Sequence, residues 1–78
     1  MRVGDAKKAA ETEIKRLIDS EKTATFYSIE VTPRDGFRVD FRRDVESSMS
    51  VSRSRLKAMG KPELEAHIEN AYRRFLRG

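Results

Sequence analysis

Seventy-eight residues without a cysteine exclude a disulfide scaffold and any thiolate metal site, and one histidine, His67, leaves little from which to build a zinc site. Charged residues make up 38 % and apolar ones 37 %, and no apolar run approaches the ~18 residues of a membrane span. Seventeen basic against thirteen acidic residues leave a net +4, a bias toward anionic partners too modest to name one.

The length fits one domain over residues 1–78. So short a chain buries only about 60–65 % of its unfolded surface, so self-association, as a homodimer for example, is an open way to supplement the core. No signal-peptide core follows Met1, and the lack of cysteine fits a cytoplasmic setting.

Taken in order, residues 1–4 are expected to fray, and Asp5 to cap a helix or sit in its first turn. From Ala6 to about Ser20 the apolar residues Ala6, Ala10, Ile14, Leu17 and Ile18 recur at helical spacing, with Ala9 widening the stripe. Lys7, Glu11 and Lys15 line the opposite side four apart, Glu11 preceding Lys15 in the favourable order. The stripe begins with alanines and ends with larger residues, so its alanine end should lie close against another backbone.

Residues 23–43 are the centre of the chain. Tyr27, Ile29 and Val31 share one parity, and Phe37, Val39 and Phe41 share another beyond a turn at Pro33-Arg34-Asp35-Gly36. Residues two apart in a strand point the same way, so each run offers one apolar face. Proline presets φ, aspartate bonds its own backbone and glycine accepts a positive φ, which together predict a hairpin turn. The other face carries Ser28, Glu30, Arg38, Asp40 and Arg42, with Phe26 as its exception. One oily and one charged face predict a sheet covered on one side only.

Residues 44–48 read as a turn, and Met49-Ser50-Val51-Ser52 as a short third strand facing inward through Met49 and Val51. Residues 53–59 fit a strand's tail, a loop, or one helical turn capped by Ser52 or Ser54, ended by Gly60. Pro62 suits the first position of a helix, whose Leu64, Ile68, Ala71, Tyr72, Phe75 and Leu76 form an apolar stripe. Glu63 and Glu65 suit its positive end, and Arg73, Arg74 and Arg77 its negative one.

The fold expected is therefore α+β, in the order α-β-β-β-α: a small antiparallel sheet of two to three strands with two helices packed on one face. Its core should hold Ile14, Leu17, Ile18, Tyr27, Ile29, Val31, Phe37, Val39, Phe41, Leu64, Ile68, Tyr72 and Phe75. This order resembles that of the double-stranded-RNA-binding domain, a family that grips phosphates with lysines at the start of its second helix. Here that start reads Lys61-Pro62-Glu63-Leu64-Glu65, whose glutamates would repel phosphate, so the likeness ends at the element order. Asp35-Gly36-Phe37-Arg38-Val39-Asp40-Phe41 is similar to the hairpin of small phage head-joining proteins, in a pattern many unrelated hairpins share.

Catalysis finds no foothold in these residues. No serine is spaced to work with His67, which sits at the edge of the last helix's stripe as boundary histidines do, and the four glycines are too scattered to cradle a phosphate. No cofactor is implied. Binding of nucleic acid, DNA or RNA, is the sharper expectation. Arg38 and Arg42 share the open sheet face with Arg43 beside them, while Arg53, Arg55, Lys57 and Lys61 fall in residues 47–61, which contain no acid. Cations beside a serine-rich backbone are what phosphate contacts need, and Ser50, Ser52 and Ser54 could add hydrogen bonds. Phe26 is the one candidate for stacking on a base. A competing expectation is a protein-binding or self-associating accessory factor of phage or mobile-element type, such as an inhibitor or adaptor, using a sheet edge.

Overall fold

A computed structural model describes residues 1–22, 24–34 and 36–78. Six elements follow in chain order: α1 (Val3–Glu21), β1 (Phe26–Thr32), β2 (Gly36–Arg42), β3 (Glu46–Val51), α2 (Arg53–Ala58) and α3 (Lys61–Arg77). The three strands form one antiparallel sheet in the order β1-β2-β3. The α+β arrangement is the expected one, with the ambiguous residues after β3 resolved as an additional short helix.

The hairpin register pairs Ile29 with Val39, Tyr27 with Phe41 and Val31 with Phe37, so the two apolar rows lie side by side on one face. Gly36 takes φ 72°, the left-handed conformation the turn requires. The self-bonding expected of Asp35 lies outside the described residues. Helices α1 and α3 pack against each other and over the apolar face. Burial decays from the centre of the sheet outward. Phe37, Val39 and Phe41 on central β2 are buried, whereas Tyr27, Ile29 and Val31 on edge strand β1 are only half-buried. Ile18 is half-buried as well, so it and the β1 row, expected in the core, line its margin instead. The remaining expected core residues are buried, joined by Ala6, Ala9, Ala10, Val51, Leu56, Met59 and Ala71.

Two boundaries differ from expectation. Helix α1 begins at Val3 rather than Ala6, and residues 1–4 are not frayed: the Met1 ammonium donates to the carbonyls of Leu56 and Lys57 at 3.1 and 3.0 Å. Those two carbonyls are on α2, while the helix that α1 itself packs against is α3. Strand β3 begins at Glu46, so residues 46–48, read as turn, pair with Arg42, Phe41 and Asp40. A glutamate and two serines carry little strand signal, and the register of β2 draws them in. On α1, Glu11 and Lys15 form the expected ion pair at 3.1 Å. Glu13, though buried, is held by both guanidinium contacts of Arg16, at 2.6 and 3.0 Å.

Candidate functional site

The acid-free stretch becomes a defined surface because of one cap and one anchor. Ser52 adopts an extended conformation, and its Oγ accepts from the Arg55 N–H at 3.3 Å, which satisfies an otherwise orphaned donor at the start of α2. Three residues into the helix Leu56 is buried, and Met59, also buried, closes the end by donating its N–H to the Leu56 carbonyl. A six-residue helix is far too short to persist unaided, so these tertiary contacts hold it. Everything else on it faces water: Arg53, Ser54, Arg55, Lys57 and Ala58 are exposed, and Lys61 is exposed at the first position of α3. Arg53 and Lys57 are one turn apart and share a side of α2.

None of Arg53, Arg55, Lys57 and Lys61 makes an ion pair among the described residues. One further cation adjoins them that the sequence does not group with them, the Met1 ammonium at the end of α2. It is a contact across the chain, with no local pattern to betray it. Removing the cap should loosen the helix without touching the core. Ser52→Ala is expected to cost about 0.5–1 kcal/mol, seen as faster amide exchange at Arg55 with little change in the urea midpoint of the sheet.

The six residues expected to contact nucleic acid are not brought together. Arg38 and Arg42 lie on the open face of β2, and acids surround them there. Arg38 Nε donates to Asp40 Oδ1 at 2.9 Å and is opposite Glu30, while Arg42 is opposite Glu46 and has its guanidinium 6.0 Å from the ring of Phe26. With Glu30, Asp40 and Glu46 against Arg38 and Arg42, the face carries one net negative charge, so a polyanion gains little there. Phe26 is 69 % exposed on this face, over a shallow depression of about 640 Å³. At the far end of α3, Arg73 is engaged by Glu69 at 2.9 Å and Glu21 at 3.6 Å. Two cations stand above their ordinary pKa, Lys15 through its hydrogen bond to Glu11 and Arg16 through its bond to Glu13, and both are on α1. Among the described residues no cluster of histidines and carboxylates could hold a metal ion, and no helix is long and apolar enough to cross a membrane.

No protein-family model, curated protein or solved structure matches this chain, so the chemistry of the site itself is the ground for assigning it a role.

Proposed function

We propose that this chain is a non-enzymatic module that binds the phosphate backbone of DNA or RNA through α2 and its flanks. The observation that carries the reading is the set of exposed cations on and beside α2, Arg53, Arg55, Lys57 and Lys61, free of carboxylate partners among the described residues. A partnered surface arginine has already traded its hydration for a carboxylate; an unpartnered one releases counterions from a polyanion at no such loss. Arg38 and Arg42 are secondary contacts in this reading because acids neutralise their surroundings. A cytoplasmic setting, fitting a cysteine-free sequence, is part of the proposal.

The test is binding to random duplex and single-stranded oligonucleotides across a salt series. Affinity should fall steeply as salt rises, and the double variant Arg53→Glu, Arg55→Glu should reduce the log–log slope by about 2 on duplex DNA. Both side chains are exposed, so the urea midpoint should stay within about 0.5 kcal/mol of the parent. Absence of binding at low salt would end the proposal.

A protein-binding or self-associating role is the second reading, favoured by a separate observation. Both outer strands of the sheet have an unpaired edge among the described residues, and Phe26 and Val45 are large apolar side chains left 69 % and 51 % exposed. Sedimentation over a range of concentrations distinguishes a dimer from a monomer.

A further inference from the structure

Beside the edge of β3, the strand and the end of α3 leave a groove between them. Strand β3 pairs only with β2 among the described residues, and α3 packs against it. Between them is a groove of about 490 Å³, with Val45, Ser47 and Ser48 on one wall and Ala71, Arg74 and Phe75 on the other. Ser47 and Met49 point toward the helix side, as their pairing with Phe41 and Val39 dictates, yet both are only half-buried. The core is therefore incompletely roofed along this strand. The one acidic side chain in the lining, Glu46, is opposite Arg42 and so belongs to the open face, away from α3, and the last residue, Gly78, lines the end of the groove.

The walls also define the charge of an occupant. Arg74 is exposed and makes no ion pair among the described residues, and the Arg43 guanidinium stands 5.9 Å from the ring of Phe75. Ala71 and Phe75 are one helical turn apart and buried, with exposed Arg74 beside Phe75, so a cation borders the apolar edge of the core here.

We propose that this groove binds an extended peptide by strand addition to β3, and that the peptide carries an apolar and an acidic side chain two positions apart. The unpaired backbone groups of β3 supply affinity, as in other cases where an edge strand and a helix form a slot. Side chains two apart on an added strand point to the same face, toward α3, where one meets Ala71 and Phe75 and the next meets Arg74.

The probe is the blocked peptide TVTETVTE, with TVTKTVTK as its charge-reversed control, titrated to millimolar concentration while backbone amides are followed by NMR. The glutamate peptide should shift amides of β3 and of the C-terminal half of α3, and slow exchange of the β3 amides. Arg74→Glu, an exposed substitution, should weaken it about tenfold and transfer the preference to the lysine peptide. Equal binding of the two peptides, or an unchanged preference in Arg74→Glu, overturns the proposal. So does protection of the β3 amides by self-association, or competition for them by oligothymidylate, which would make the groove a nucleic-acid site. Failure here leaves the α2 reading intact, since the double arginine variant of α2 should bind the glutamate peptide unchanged.

Discussion

Phe41→Ala should remove about 3–5 kcal/mol, as expected for truncating a fully buried aromatic ring. The ring occupies the middle of the core. It is 1 % exposed, sits edge-on to Tyr72 at a centroid distance of 5.4 Å, and stacks on Phe75 at 5.6 Å. Tyr72 and Phe75 are themselves 6.3 Å apart, so the alanine leaves two rings of a three-ring cluster facing a void. Loss of two aromatic contacts, at about 0.5–1.5 kcal/mol each, adds to the transfer and cavity terms. A chain of 78 residues is expected to have only about 4–12 kcal/mol of total stability. The variant should therefore be largely unfolded at 37 °C or melt tens of degrees early, whereas Phe41→Leu, which keeps most of the volume, should lose about half as much. Urea denaturation of both variants is the measurement. A loss below about 1.5 kcal/mol for the alanine would mean that the central strand is not where the helices bear on the sheet.

The parts of this fold that could be read beforehand are those in which a local period repeats. The hairpin announces itself by alternation on either side of Pro33 and Gly36, and α1 and α3 by stripes with a period near 3.6. What alternation cannot show is which strand becomes central. Tyr27, Ile29 and Val31 look as deserving of the core as Phe37, Val39 and Phe41, and differ only because β1 has a neighbour on one side and β2 on both. Helix α2 stays one of three alternatives in the sequence, a helical turn capped by Ser52 among them, because six residues with one buried side chain, Leu56, contain no period to decide between them. Its conformation depends on contacts from elsewhere, namely the Met1 ammonium on its last carbonyls and the Gly36 backbone against its first residues. The same division holds for the candidate site. That residues 47–61 lack acids is plain from the chain, and so is the nearness of Arg38 to Asp40, two apart on one strand face. The neighbourhood of Arg74 beside β3 exists only once the elements have packed.

Gly36→Ala is expected to be nearly as damaging as loss of the Phe41 ring, and to reach α2 as well as the sheet. Two separate costs coincide at this residue. Its φ of 72° is left-handed, a conformation that costs a residue with a side chain about 1–2 kcal/mol. A methyl group there would also stand 2.6 Å from the Val51 carbonyl oxygen, 3.1 Å from the Arg53 nitrogen and 3.1 Å from the Ser52 Cα. All three are backbone atoms, so no side chain can swing away to make room, and overpacking of this kind adds about 1–3 kcal/mol. The combined loss of about 2–5 kcal/mol is relieved only by moving the chain that leads from β3 into α2. Amides of Arg53 and Arg55 should therefore shift in NMR spectra, and affinity for duplex DNA should drop although no cation has been removed. Gly4→Ala is the contrast, because Gly4 is inside α1 with nothing within 4 Å of an added Cβ. There alanine should be neutral or raise stability by a few tenths of a kcal/mol, because Gly4 is in the first turn, where the preference for alanine over glycine is weaker than the ~1 kcal/mol of a helix interior. If the two alanines proved equally harmless, the close passage of β3 over the hairpin turn would be wrong. The placement of α2, and of the basic surface on it, would then fall as well.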